Sequence, residues 1–224
     1  MTLFIILLIG FLASGLTIGG LQLLYRTELG KRAMISDDPH RSVEDARVYR
    51  DVVLNASVSS ALIFGACYGL YDFLFYERAV PAWMIVLEIA AVIFIYDFAY
   101  YFLHRYPMHE WKILRGVHSV HHAARNPRTV DSLLLHPVET IAGLTTLFGS
   151  IAAVGGIHLY SFAVIFVFYT VFNVLNHAGV NIQRFPFKTL GILAVKHDRH
   201  HHSMLSGNYA SITPLPDIVF RTVA

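Results

Sequence analysis

From Leu3 to Tyr25 the chain carries no charged side chain. That run meets the roughly 20 apolar residues a helix needs to cross a bilayer core. Four more apolar runs follow, at Val52–Tyr71, Ala82–Leu103, 137–155 and 159–176. Only 14% of the 224 residues are charged and 55% are hydrophobic, against about 25% charge in an average soluble domain. Mean hydropathy is +0.54. The composition excludes a disordered chain and a soluble basic nucleic-acid binder, and nucleic acid is not an expected partner. The single cysteine, Cys67, lies in an apolar stretch and reads as a structural thiol, which excludes a disulfide-stapled domain.

The runs predict an all-α fold, an integral membrane helical bundle of four to five spanning or re-entrant helices. Residues 1–25 form the first span. Its rival reading, a signal peptide, lacks a basic start and an A-x-A-like site. Residues 26–51 form a loop broken at Asp37-Asp38-Pro39, and residues 52–224 form a single domain. Gly65 and Gly69 make a GxxxG pair, a possible packing notch. Glycines 155 and 156 split the last two runs into a hairpin that enters and returns.

Charge sets the topology. Six Lys/Arg lie in 26–51, five in 104–136 and five in 177–224, while the turn at 77–81 holds one and the turn at 155–158 none. With five crossings, 16 of the 17 basic residues fall on one side, which the positive-inside rule makes cytoplasmic.

Histidine is distributed as unevenly as charge. Twelve of 13 lie between His104 and His202, and the clusters fall on the predicted cytoplasmic side. They are His104 with His109, then His118, His121 and His122, then His177, then His197, His200, His201 and His202. Two have the form HxxHH, and on a helix positions i, i+3 and i+4 share a face. Three imidazoles on a stripe, twice, is the pattern expected of two metals held between two helices. His104 and His109 are five apart and cannot converge on a continuous α-helix, but Pro107 predicts a break or kink near Tyr106. Asn173 precedes His177 by one turn and is a candidate extra ligand. Imidazole suits iron, zinc, copper and nickel alike, and nine histidines exceed one ion's needs.

Asp97 lies seven residues before His104 on the same face. It is a candidate for orienting that ring, since ligand histidines commonly donate their second N–H to a carboxylate, carbonyl or water. Glu88 sits in the same run without an evident partner. His136 reads as a structural hydrogen-bonding residue at a helix start. His158 and His40 read as non-ligands.

The stretch Asp97–His104…His109, then His118…His121-His122, His136-Pro-Val-Glu139, Asn176-His177, His197…His200-His201 and Gly207-Asn208-Tyr209 resembles the fatty acid hydroxylase / sterol desaturase superfamily over about residues 90–220. The ending Asp217-Ile-Val-Phe-Arg-Thr222 looks like that family's D-x-x-F-G-T, with Arg221 in place of glycine. The resemblance implies a membrane non-haem di-iron enzyme that uses O2 and two electrons to hydroxylate or desaturate lipid C–H bonds. It implies His104, His109, His118, His121, His122, His177, His197, His200 and His201 as ligands of two iron ions, with zinc a possible substitute. The lipid would come from the bilayer, and a separate cytosolic donor, cytochrome b5- or ferredoxin-like, would supply electrons. Spacing leaves His201-His202 open as the last ligand pair, although the helical face favours His200-His201. The rival class is a histidine-rich membrane metal-binding or metal-transport protein. Transport places ligands near mid-membrane on broken helices, unlike the one-sided clusters here. A zinc hydrolase fails because His109-Glu110 has Ile113, not histidine, four residues after His109.

Overall fold

A computed structural model describes residues 2–36, 42 and 44–224. His40 and the Asp37-Asp38-Pro39 breaker lie outside the described residues. The elements run α1 (Thr2–Leu24), α2 (Glu28–Ala33), α3 (Asp45–Gly69), α4 (Tyr71–Leu74), β1 (Phe75–Tyr76), α5 (Ala82–Leu103), a π-helical turn (His104–Glu110), α6 (Lys112–His118), 3-10 turns at His121–Ala123 and Thr129–Leu133, α7 (Pro137–Ala153), β2 (Ile157–His158), α8 (Leu159–Asn176), α9 (Lys188–His201) and α10 (Leu215–Val219).

Among the described residues four helices are long and apolar enough to cross a membrane: α1, α3, α5 with its π turn, and α8. The 17 residues of α7 reach about 25 Å at 1.5 Å per residue. It nonetheless runs from the histidine-bearing end to the opposite end, because it feeds β2, which pairs in parallel with β1 (Phe75 with Ile157, Tyr76 with His158). That short ladder joins the α3–α5 and α7–α8 connections at one end of the bundle. The second span starts earlier than Val52. Asp45–Asp51, placed in the loop by composition, is the first part of α3, where Arg47 and Asp51 pair at 3.5 Å one turn apart.

α1 packs along α8, α7 lies against α3 and α5, and α5 lies against α8. Gly10 makes the first contact possible, since a Cβ there would collide with the Phe166 ring. Leu7, Tyr96, Ile151, Phe162 and Phe166 form the buried centre. Leu12 and Leu16 of α1, and Trp83, Val86 and Phe94 of α5, are exposed. So much outward apolar surface is stable only against lipid. Cys67 is buried and free, as a structural thiol would be.

Glu88 has partners invisible in the sequence. Its carboxylate accepts from Tyr76 Oη, from the His158 amide at 3.0 Å and from Ser161 Oγ at 2.5 Å. It ties α5 to the ladder at the end remote from the histidine clusters. His158 and His136 cap helices: their Nδ1 atoms accept from Tyr160 N–H (3.0 Å) and Val138 N–H (3.2 Å).

Candidate metal centre

The nine histidines form two nests. The ring nitrogens of His104, His109, His118, His122 and His200 lie within 4.8 Å of one another, and so do those of His121, His177, His197 and His201. His202 belongs to neither. Its side chain is 55% exposed and lies 3.4 Å from Asp198 and 3.2 Å from Asn126 Oδ1.

Local backbone explains the sorting. Pro107 has no N–H to return to Leu103, and its ring would press on that carbonyl in an α-helix. The chain widens into a π turn, where bonds span five residues; Trp111 N–H donates to Tyr106 O at 2.7 Å. A five-residue turn stacks residue i+5 over residue i, so the Nε2 atoms of His104 and His109 lie 3.2 Å apart. The break expected at Tyr106 is thus a change of helix type.

The shared α-helical face expected for His118, His121 and His122 is not formed. α6 ends at His118, and His121 and His122 sit on a separate 3-10 turn. That change of pitch sends His118 and His122 to the first nest and His121 to the second. On α9 the helix is continuous: His197 and His201, one turn apart, join the second nest and His200 the first. Each HxxHH cluster therefore contributes to both nests.

In the first nest the Nε2 atoms of His104, His118, His122 and His200 form a closed circuit with sides of 2.9, 3.1, 3.1 and 3.2 Å. In the second, His121, His177, His197 and His201 form a chain at 3.1, 2.8 and 3.1 Å. The opposite ring nitrogens reveal the tautomers. Nδ1 of His104 faces Tyr209 O at 2.7 Å, His109 Met204 O at 2.8 Å, His121 Leu134 O at 3.1 Å, His177 Asn173 O at 2.7 Å, His200 Gly207 O at 2.8 Å and His201 Ala124 O at 2.8 Å. His118 Nδ1 faces the Glu139 carboxylate at 2.8 Å. A carbonyl or carboxylate can only accept, so each Nδ1 carries the proton and each neutral ring turns a bare Nε2 lone pair inward. Lone pairs facing each other at about 3 Å repel unless a cation lies among them. The donor set fits two metal ions.

Burial keeps the rings outside the spans neutral. It holds His118, His121, His197, His200 and His201 well below the ordinary histidine value of 6.5, with neighbouring imidazoles adding to the effect. The same desolvation lowers His122 to about 3 and His177 to about 4. Neutral imidazole is the form that ligates.

A cavity of about 340 Å³ opens beneath the nests between α1, α3, α5, α7 and α8, and His104, His121, His177 and His197 reach its wall. The volume suits a small-molecule site.

Asp97 does not orient His104. The segment 209–213 lies between them. It gives its Tyr209 carbonyl to His104 and its Ile212 and Thr213 amides to Asp97, at 2.9 and 3.0 Å, with Thr213 Oγ1 at 2.6 Å. Asn173 lies beside His177, but its main-chain carbonyl makes the contact while its amide donates to Ser132 O at 3.3 Å. The carboxylate that orients a nest histidine is Glu139, 3% exposed, a residue visible in the sequence only as part of a motif. Asp217 was equally silent. It accepts from the Tyr209 and Ala210 amides and from Thr222 Oγ1, pairs with Lys196 at 2.8 Å, and so fixes the Tyr209 carbonyl behind His104.

Fold and site together define an all-α membrane protein capped by two polyhistidine nests. The fatty acid hydroxylase family profile matches residues 89–222, and the chain belongs to that family. It is similar to a very-long-chain aldehyde decarbonylase of Oryza sativa subsp. indica, 31% identical over 148 residues that cover 63% of this chain and 54% of the relative. It is also similar to methylsterol monooxygenase 2-2 of Arabidopsis thaliana, 32% identical over 154 residues with the same coverage. Methylsterol monooxygenase 1 of Rattus norvegicus is 28% identical over 153 residues, covering 66% of this chain and 50% of the relative. The chain thus spans about half the length of the curated relatives it matches. No solved structure matches it significantly.

Proposed function

We propose that the protein is a membrane non-haem di-iron oxidoreductase that uses O2 and external electrons to hydroxylate or desaturate a lipid. The observation that carries this reading is the convergence of nine histidines into two adjacent donor sets, four of whose rings line one cavity inside a membrane bundle. The names of the relatives, a methylsterol monooxygenase and an aldehyde decarbonylase, point to the same substrate class.

His104, His109, His118, His122 and His200 would hold one iron, and His121, His177, His197 and His201 the other. Bound iron would supply the redox chemistry that activates O2. The chain's own part is to fix the donors and shape the space. Six main-chain carbonyls and Glu139 hold Nδ1 protons so that Nε2 faces inward. Ile63, Leu144 and Phe172 give the cavity an apolar wall, which favours a hydrocarbon chain over water. Imidazole donors also take zinc, which would substitute when iron is scarce.

The basic segments at the histidine end support a cytoplasmic site by the positive-inside rule. Electrons would come from a separate cytosolic donor, cytochrome b5- or ferredoxin-like. Basic residues of that face, among them Lys112, Arg115, Arg125 and Arg128, are candidates for docking an acidic partner, although Arg128 is itself buried at 8% exposure and gives its guanidinium to Gly179 O at 3.0 Å and to Ser36 O.

The test is the metal content of purified protein from iron-supplemented cells, beside a His121→Ala/His200→Ala double variant that removes one donor from each nest. About two iron ions per chain, O2-reactive and lost in the variant, together with altered lipids in a deletion strain, is the expected result. Metal near zero with an intact fold would overturn the reading. Metal without O2 reactivity would select the metal-binding or transport class instead.

A further inference from the structure

The cavity has a side that the helices do not close. α1 packs on α8 and α3 packs on α7, and α1 and α3 meet through the stacked rings of Phe11 and Phe64, 6.2 Å between centroids. Toward the histidine end from that contact, the cavity wall is formed by Ser14, Gly15 and Ile18 on α1 and by Asn55, Ala56, Ser59 and Ser60 on α3. Ser14, Gly15, Ala56, Ser59 and Ser60 are no larger than serine and at least partly exposed, and a Cβ built on Gly15 would meet nothing within 4 Å. The gap lies within two membrane-spanning helices, so it faces lipid.

A second observation points to what enters. Glu139 lines the same cavity and is 3% exposed. One carboxylate oxygen holds His118, and the other, Oε2, is buried with no hydrogen-bond partner. A buried polar oxygen without a partner is costly, and a ligand that brings a hydroxyl, which can donate or accept, removes that cost.

We propose that the gap between α1 and α3 is a lateral window through which a membrane-dissolved lipid passes from the bilayer into the cavity, where a hydroxyl on its otherwise apolar skeleton hydrogen-bonds with Glu139 Oε2. The proposal rests on the oxidoreductase reading for its biological purpose, but the window and the hydroxyl contact are properties of the chain alone.

The test uses full-length protein in nanodiscs and a long-chain primary alcohol carrying a diazirine. Photolabelling is mapped by peptide mass spectrometry, and the metal content of each sample is measured alongside. Wild type should carry label on cavity residues such as Leu144 and Phe172. The unlabelled alcohol should compete and the alkane of equal length should not. Gly15→Trp and Ser60→Trp, which obstruct the window from opposite helices, should each reduce cavity label about tenfold, equivalent to about 1.4 kcal/mol. Gly149→Trp, at an exposed α7 position with nothing within 4 Å, should label like wild type. Unchanged label in both window variants, or equal competition by the alkane, overturns the proposal. Window-dependent label in protein that binds no metal would remove the redox reading and leave the window standing.

Discussion

Glu139 accepts the Nδ1 proton of His118 at 2.8 Å, the one carboxylate contact to a nest histidine Nδ1 among the described residues. Six other nest histidines use main-chain carbonyls for the same purpose. A carboxylate raises the basicity of the ring it holds more than a neutral carbonyl does, and it spreads negative charge toward the metal side.

Replacing Glu139 therefore gives a graded outcome. Glu139→Gln can still accept from His118 and should retain most metal. Glu139→Ala should weaken metal affinity by about 10- to 100-fold, the usual cost of losing such a partner. Competition with a chelator of known affinity measures it, and Ala equal to wild type would show that packing alone orients His118.

The last histidine run offers a clean contrast. His201 donates from Nδ1 to Ala124 O at 2.8 Å and lies 3.1 Å from His197, whereas His202 faces outward. His201→Ala should lose the ion of the second nest, about half of the bound metal, while His202→Ala should keep both. Elemental analysis of the two variants decides it, and the reverse pattern would move the ligand assignment to His202.

How much of this was legible before the structure depends on the scale of the cause. Hydropathy located the apolar runs because a helix must match the bilayer, and α5 and α8 have the expected bounds, Ala82–Leu103 and Leu159–Asn176. The grouping of His197, His200 and His201 on one side of α9 follows from helical period. Failures came where backbone type changes within a few residues. The π turn at His104–Glu110 and the 3-10 turn at His121–Ala123 have no period that the sequence displays. Asp97 misled because its stripe does point toward His104, and only the inserted segment 209–213, far away in the chain, intercepts both. Main-chain carbonyls, which orient six of the nine rings, are the same atom in every residue and leave no compositional trace.

Acid should destabilise the metal-free protein, with a definable onset. His122 and His177 sit at about 3 and about 4 in the folded chain, against about 6.5 unfolded. Below pH 6.5 the unfolded chain takes up protons that the folded chain refuses. Stability is therefore full above 6.5 and falls between 6.5 and 4, by about 1.4 kcal/mol per pH unit for each such histidine. Thermal melts of chelator-treated protein from pH 8 to pH 4 should show a flat plateau above about 6.5 and a steep fall below it. The same neutrality means that metal uptake at pH 7 should release few protons, which an indicator dye reads directly. Release of several protons per ion would show that the nests are protonated before metal arrives.

Arg221 occupies a position where the family pattern has glycine, and its φ is +56°. Left-handed backbone costs a residue with a Cβ about 1–2 kcal/mol, while glycine adopts it freely and forfeits some unfolded-state entropy, about 0.4–1 kcal/mol. Arg221 comes two residues after the end of α10, just past Phe220, and Thr222 behind it accepts at its carbonyl from Asn208 N–H and donates its hydroxyl to Asp217. The turn is therefore held in place by the buckle that sets the Tyr209 carbonyl. Arg221→Gly should stabilise the protein by the difference, about 1 kcal/mol or less, without changing metal content. Arg221→Ala should bring no gain, because alanine keeps the Cβ. Melting temperatures of the three proteins at equal metal loading test this, and a stabilised alanine variant would place the cost in the arginine side chain instead of the backbone.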